Sequence, residues 1–357
     1  MKIAFFHNDY KGTGGLERFL SIWANNFIDN GYEVVFISLY ESGEFLFPLN
    51  DKVKIISMNE TTKAITFRKF LLIYKLYKII KNEQIDIIIG QMIKPSVILS
   101  WLSQYTKVKT IGMEHFAFNS ENHPKKWLKR RAKYYKYLSA FVCLTPDDYE
   151  SYKNLGVKNV QLILNPVQIP ESIKYNINSE TIISIGRQDP QKNLSALLRS
   201  FKPLLTKWPN LKLQIIGKDY GDRKNLIKLS HDLDIYNNIE YIDFTSNISS
   251  IYNNASILVL SSIYEGLPVS LIEAKAFGIP CVSYNCPTGP KHIINHQVDG
   301  FLVDMHNEKE LSNCMEKLIE NPLLREKMSI EARKDALNRF NVEKIAPKWY
   351  FLFNSLK

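Results

Sequence analysis

Glu265 and Glu273 bracket an apolar turn and a helix start in the run Glu265-Gly266-Leu267-Pro268-Val269-Ser270-Leu271-Ile272-Glu273-Ala274. Proline is favoured in the first turn of a helix, so Pro268 places Glu265 in the preceding loop and Glu273 about one and a half turns inside. The two acids need not share a face. They can hold different parts of one elongated ligand, while the amides near Val269 and Ser270 meet an anionic middle. Upstream, the β-rich run Thr181–Ile185 leads into Gly186 and Arg187, and Lys192 follows just before Asn193 and an apolar helical pattern. Two cations where a strand yields to a helix N-terminus can neutralise a diphosphate. A third anion-facing turn opens the chain: Lys2–Phe6 runs into Gly12, Gly14 and Gly15, then Leu16, Glu17 and Arg18. Glycines there let backbone approach a ligand closely. The dinucleotide fingerprint asks for a glycine three positions after the second, where Glu17 stands, and this counts against an NAD site.

Metal chemistry has two candidates, and both are weak. Asp232-Leu233-Asp234 has an acid-x-acid spacing but follows a helical stretch rather than a strand, which suits a solvated helix end. Cys281, Cys286, His292 and His296 look superficially like a zinc set, yet the spacing from Cys286 to His292 is too short and Cys281 falls in a strand that reads as buried. The four cysteines, Cys143, Cys281, Cys286 and Cys314, are too few and scattered to staple 357 residues, which suits a reducing compartment.

The elements that must position these groups alternate between short β-rich runs and longer helical patterns, the signature of parallel sheets covered by helices. Strands are expected at Lys2–Phe6, Glu33–Leu39, Lys54–Ile56, Asp86–Ile89, Lys109–Gly112, Ala140–Leu144 and Val160–Ile163, with helices at Leu16–Asn30, Thr66–Asn82, Pro95–Tyr105 and Pro124–Leu138. A second series of strands is expected at Thr181–Ile185, Lys212–Ile216, Ile239–Tyr241, Ser256–Leu260, Pro280–Ser283 and Gly300–Leu302, and helices at Glu308–Glu320, Pro322–Asn338 and Val342–Leu356 close the chain. A chain of this length suggests two domains. The expected division is residues 1–165, a Pro- and Asn-rich linker at 166–179, a second domain at 180–340, and a C-terminal helix at 341–357 packing back toward the first domain. Two such α/β units leave a cleft between the carboxyl ends of their strands, where ligands of open sheets bind.

Apolar residues make up 45% and charged residues 23% of the sequence, a composition that excludes disordered and collagen-like classes. No uncharged apolar run approaches the ~18 residues of a spanning helix, and no secretory leader is visible at Met1–Phe6. The net charge of +10 is concentrated in the first half, where residues 1–170 carry 23 basic and 15 acidic side chains. Within it, 124–138 holds Lys125, Lys126, Lys129, Arg130, Arg131, Lys133 and Lys136 with no acid, interleaved with Trp127, Tyr134, Tyr135 and Tyr137. Read as one helix, Lys126, Arg130, Lys133 and Lys136 form one stripe and Leu128, Ala132, Tyr135 and Leu138 another. Such a helix can sink its aromatics at a headgroup boundary and meet anionic lipid with its cations, and 66–82 with Lys75, Lys78 and Lys81 adds to this surface.

Together, the Glu-x7-Glu pair, Gly186-Arg187-x4-Lys192-Asn193, Gly14-Gly15-x-Glu17 and Asn285-Cys286-Pro287-Thr288-Gly289-Pro290 resemble the family-4 retaining glycosyltransferases of the GT-B fold. The resemblance covers essentially the whole chain and is strongest from Ile182 to Val303. It implies two Rossmann-like α/β/α domains facing each other across a cleft. It further implies that Arg187 and Lys192 grip the donor diphosphate, Glu265 holds the sugar hydroxyls and Glu273 the ribose, with Gly186 and the Gly266-Leu267-Pro268-Val269-Ser270 segment around them. Gly14 and Gly15 would face the phosphates from the first domain, and His115, after Lys109–Gly112, would stand near the reacting sugar. The implied donor is a UDP-sugar and the acceptor a lipid-linked glycan, with galactose or N-acetylgalactosamine favoured, in bacterial surface polysaccharide synthesis on the inner membrane face. No metal is implied, because preorganised cations and helix-end amides can absorb the charge that develops on the leaving phosphate. No carboxylate nucleophile is required either, unlike the paired acids of glycosidases. A nucleotide-sugar epimerase or hydrolase of the same architecture would not need the basic segment. A basic nucleic-acid-binding protein would leave Glu265 and Glu273 without a purpose, so no nucleic-acid partner is expected.

Overall fold

The computed structural model describes all residues except 13, 61–68, 120–123, 172, 174, 244 and 246. The first residues of the helix expected at 66–82 therefore lie outside the described part, as do two positions of the segment 166–179. The chain forms two units, Met1–Pro166 with Ile345–Lys357, and Val167–Lys344.

Unit 1 is built on β1 (Lys2–His7), β2 (Glu33–Ser38), β3 (Lys54–Ser57), β4 (Ile87–Gln91), β5 (Lys109–Met113), β6 (Ala140–Cys143) and β7 (Val160–Leu162). They lie in the order β3-β2-β1-β4-β5-β6-β7, and every pair is parallel. Strands such as β4, buried at each position, are apolar without alternation because helices cover both faces. Those helices are α1 (Gly15–Asp29), α2 (Lys69–Asn82), α3 (Ile93–Leu102), α4 (Lys125–Tyr134) and α5 (Pro146–Asn154).

Unit 2 repeats the plan with β8 (Thr181–Ile185), β9 (Lys212–Ile216), β10 (Ile239–Ile242), β11 (Ile257–Leu260), β12 (Cys281–Tyr284) and β13 (Gly300–Val303) in the order β10-β9-β8-β11-β12-β13. Around them lie α6 (Leu194–Phe201), α7 (Arg223–Asp232), α8 (Ile248–Asn253), α9 (Val269–Ala276), α10 (Glu308–Glu320) and α11 (Pro322–Arg339). Two described residues of 167–179 bond to unit 2: Val167 N–H donates to Phe340 O, and the Tyr175 hydroxyl donates to Ser256 O. The last helix, α12 (Val342–Ser355), delivers Trp349 to unit 1, 5.9 Å from Trp23 and 6.2 Å from Phe27 by ring centroids.

The segment 124–138 is not one helix. α4 ends at Tyr134 and a 3-10 turn, Tyr135–Tyr137, follows. Tyr135 is fully buried and Trp127 nearly so, so these rings join the core of unit 1 instead of facing a membrane, while Ala132 of the expected apolar stripe is exposed. The sheet edge claims large apolar side chains first, and the seven cations divide accordingly. Lys125, Lys126, Lys129, Lys133 and Lys136 are exposed, Arg130 is half-buried, and Arg131 is buried.

Candidate functional site

In an open α/β sheet the strand order reverses at one point, and the loops leaving the two flanking strands part there to leave a crevice. In unit 2 that point lies between β8 and β11. β8 ends into Gly186 and Arg187; β11 ends into Ser261, Ser262 and the loop to Glu265. Three of the expected site residues therefore meet for a topological reason.

Lys192 closes a 3-10 turn, Pro190–Lys192, and Asn193 adopts a left-handed conformation before α6 begins. Asparagine tolerates that conformation better than most residues. The Lys192 ammonium donates to Glu265 Oε1 at 2.6 Å, and the Ser262 hydroxyl donates to the same oxygen at 2.6 Å. Ser261 Oγ donates to the Lys192 carbonyl at 2.9 Å, tying the two loops through backbone. Arg187 is more open: its Nη2 donates to Gln191 Oε1 at 2.9 Å and lies 3.1 Å from Asp189 Oδ2, while its guanidinium sits 5.5 Å from the Tyr220 ring. The buried Gln191 is itself fixed by donating to Tyr264 O at 2.9 Å. Each cation thus holds a carboxylate that an incoming anion must displace or share.

Glycine is required where these parts touch. A Cβ on Gly186 would come within 2.7 Å of the Lys192 side chain, and one on Gly289 within 1.9 Å of the Gly266 carbonyl oxygen. The Gly289 contact explains the second glycine-bearing motif, since the 285–290 loop lies flat on the loop carrying Glu265: Glu265 N–H donates to Pro287 O and Thr288 N–H to Glu265 O. Helix α9 begins after Pro268 with no side-chain cap and no acid in its first turn. The Val269 and Ser270 amides are therefore presented to an anion. Buried Leu267 lines the same turn. Glu273, further along α9, accepts from the Tyr252 hydroxyl at 2.8 Å, so the two acids have separate environments.

Unit 1 reverses its strand order between β1 and β4. Gly14 caps α1, and its N–H donates to Glu17 Oε2 at 3.1 Å, with Gly15 opening the helix. Glu17 fills the space where a side chain on Gly12 would go. His115, just past β5, pairs through Nε2 with Gln91 Oε1 at 2.7 Å and meets the Phe19 ring at 4.8 Å. Burial, and secondarily the nearby His7, pushes its pKa down to about 3. His7, beside the Gln91 carbonyl at 3.2 Å, is also lowered by burial. Both imidazoles are neutral at neutral pH. Glu114 has a structural occupation: it accepts from the Tyr135 hydroxyl at 2.6 Å and from Arg131 at 3.4 Å.

Sequence reasoning missed Gln191, Ser262, Tyr252 and Gln91 as partners of the site. Gln191 lies inside the Arg-x4-Lys spacing, where nothing distinguishes it from a spacer, and Tyr252 and Gln91 come from elements remote in sequence. The zinc-like cysteines are buried, and burial raises the Cys281 and Cys286 thiols well above their usual range. Among the described residues no three His, Cys, Asp or Glu side chains are placed to hold a metal ion.

Two parallel, doubly wound units, each with its polar groups at a strand-order reversal, define a GT-B glycosyltransferase architecture. The structure superposes on Staphylococcus aureus TarM, solved with fondaparinux, α-GlcNAc-glycerol and UDP, with a TM-score of 0.84 at 14% identity over 99% of this chain and 100% of that one. Residues 168–335 match the family described as Glycosyl transferases group 1, and residues 13–169 match Glycosyltransferase Family 4. An uncharacterized glycosyltransferase of Haemophilus influenzae is 30% identical over 354 residues, 98% of each chain. An α-1,4-N-acetyl-D-galactosaminyltransferase of Campylobacter jejuni, named for a diNAcBac-PP-undecaprenol-linked acceptor, is 26% identical over 100% of this chain and 99% of its own. The chain belongs to the family-4 glycosyltransferases.

Proposed function

We propose that this glycosyltransferase moves a hexose or N-acetylhexosamine, of galactose or N-acetylgalactosamine type, from a UDP-sugar to a lipid-linked glycan with retention of anomeric configuration. The reading gives it a place in bacterial surface polysaccharide synthesis on the inner face of the cell membrane. The observation that carries it is the convergence of Arg187, Lys192, Glu265 and the uncapped start of α9 at the strand-order reversal of unit 2. Negative charge gathers on the departing diphosphate as the sugar bond breaks, and fixed cations and amides stabilise it without reorganising. In this reading Glu265, held by Lys192 and Ser262, accepts hydrogen bonds from the sugar hydroxyls, and Glu273 from those of the ribose. His115, neutral, can accept or donate one hydrogen bond to the reacting sugar but carries no charge to it. The acceptor hydroxyl adds to the face the leaving group vacates, and its proton passes to a phosphate oxygen. The C. jejuni relative's name, with its N-acetylgalactosaminyl transfer and undecaprenol-linked acceptor, and the UDP bound in the TarM structure support donor and acceptor classes.

No helix among the described residues is long and apolar enough to cross a membrane. In this reading, membrane attachment is electrostatic, through the exposed Lys129, Lys133 and Lys136 of 124–138, since Trp127 and Tyr135 are committed to the core.

The test is a panel of nucleotide sugars incubated with a short lipid-linked acceptor, with and without EDTA, and anomeric configuration of the product read by NMR. Transfer from a UDP-hexose that survives chelation, with α-donor giving α-product, is the expected result. Inversion of configuration, or hydrolysis without transfer to any glycan, would overturn the reading.

A further inference from the structure

Three strand ends meet at the reversal of unit 1, and Gln91, the last residue of β4, stands between the other two. β4 pairs with β1 on one side, where Phe6 lies opposite Gly90, and with β5 on the other, where Gln91 lies opposite Met113. His7 ends β1 on one flank of Gln91, and His115 comes just after β5 on the other. Met92 N–H donates to Met113 O at 2.8 Å, which ties β4 to β5 at this edge.

Gln91 is fully buried and serves both imidazoles. Its backbone carbonyl lies 3.2 Å from His7 Nδ1, and its Oε1 lies 2.7 Å from His115 Nε2. The Phe19 ring meets His115 edge to face and steadies its plane. Gln91 Nε2, by contrast, is buried with no hydrogen-bond partner among the described residues. An idle buried donor is costly, so an apolar side chain would serve better here if packing were the only demand. Met92, the next residue, has φ 72° and ψ 169°, a region that residues other than glycine rarely enter. Such strain persists where the surroundings impose it, and it gathers at ligand sites. One departure is in hydrogen bonding and the other in backbone, and they fall on adjacent residues.

A carbonyl oxygen can only accept. A neutral imidazole that faces one therefore carries its proton on the facing nitrogen and leaves the other bare. His7 thus holds its proton on Nδ1 and His115 on Nε2. His115 Nδ1, the remaining ring nitrogen, has no hydrogen-bond partner among the described residues. We infer that Gln91 is a positioning residue that holds His115 in its Nε2–H tautomer, so that Nδ1 accepts a hydrogen bond from a hydroxyl of the reacting sugar. Without the Gln91 oxygen the two neutral tautomers compete, and a ring protonated on Nδ1 cannot accept there. The bare nitrogen selects a substituent that donates over one that offers only acceptors. This deepens the proposed function and rests on its placing of His115 beside the sugar.

The experiment labels the full-length protein with 15N-histidine and reads the imidazole nitrogens by long-range proton–nitrogen NMR at neutral pH, with His7→Ala and His115→Ala supplying the assignments. Wild-type His115 should show a protonated Nε2 and a bare Nδ1. Gln91→Met, which keeps an unbranched side chain of similar length, should turn that signature into a mixture of tautomers. It should also lower kcat/KM for transfer about tenfold, as the loss of one hydrogen bond made in the transition state would. On a His115→Ala background the same change should cost no more than about twofold, because a residue that acts through the imidazole has nothing left to position. A protonated Nδ1 in wild-type His115 overturns the inference, since the Gln91 amide would then face the ring with its nitrogen. So does a tautomer indifferent to Gln91→Met, or a loss of turnover as large without His115 as with it. Should the tautomer respond to Gln91→Met while His115→Ala turns over normally, the assignment of the proton stands and the place of His115 beside the sugar falls.

Discussion

Lys192 and Arg187 were equivalent cations in the sequence, but their surroundings separate them. Lys192 is mostly buried against Glu265 with side-chain exposures of 14% and 10%, whereas the Arg187 side chain is 39% exposed. Lys192→Ala should therefore abolish transfer and also destabilise the protein by about 1–3 kcal/mol, because Glu265 is left with Ser262 alone in a part-buried place. Arg187→Ala should abolish transfer with a stability change of about 1 kcal/mol or less, as expected of an exposed pair. Urea titrations beside a donor-turnover assay would separate the two; equal destabilisation would refute the distinction. His115 supplies a pH prediction at the same scale. Its folded pKa is lowered, to about 3, against about 6.5 in an unfolded chain. Its contribution to stability is therefore whole above about pH 6.5 and is lost as pH falls from there toward 3. Between pH 6 and 9 the turnover profile should carry no limb from this imidazole, and its NMR resonances should not titrate. A midpoint near 6.5 in the native protein would contradict the packing described. The motif residues themselves were legible because close backbone approach restricts glycine and proline positions so strongly. Their partners Gln191, Tyr252 and Gln91 were not, since a hydrogen-bonding side chain leaves no period or spacing behind.

The segment 124–138 shows where element-level reading succeeds and where it stops. Its helix was visible in composition, but a run of cations and aromatics does not say which ring the sheet will claim. A helical stripe counted through Tyr135 assumes a turn that the chain abandons at Tyr134 in order to bury that ring. Strands were legible to within a residue or two, because fully buried parallel strands are short apolar runs with sharp polar ends: β8 and β9 begin and end at the expected residues. The cations of the segment should behave as two populations. Arg131→Leu should cost about 3–5 kcal/mol by removing the cation paired with buried Glu114. Replacing Lys129, Lys133 and Lys136 with Ser should alter stability by no more than about 0.5 kcal/mol yet reduce sedimentation with phosphatidylglycerol vesicles. If those three changes leave vesicle binding intact, electrostatic attachment through this face is wrong.

For the molecule as a whole, the division into two α/β units of similar size followed from the spacing of β-rich runs, and strand order at each reversal then decided which loops could meet. The detail that spacing could not supply is how tightly the end of the chain is built into the first unit. Trp349 is fully buried, and Tyr350 donates to Asn26 Oδ1 at 2.7 Å across almost the whole sequence. Trp349→Ala should destabilise unit 1 by about 3–5 kcal/mol while hydrogen exchange in the β8–β13 sheet stays unchanged. Loss of protection in both sheets together would mean the two units unfold as one.

Unit 1 opens at Met1 and is completed only by Ile345–Lys357, with the whole of unit 2 inserted between. In the order of synthesis, the inserted half has all its residues by Lys344, while the half translated first keeps a gap in its hydrophobic layer until the last helix is added. Chains truncated after Lys344 and released should therefore resist protease in residues 167–344 and be cut within 1–166, an inversion of the usual order in which early-made segments mature first.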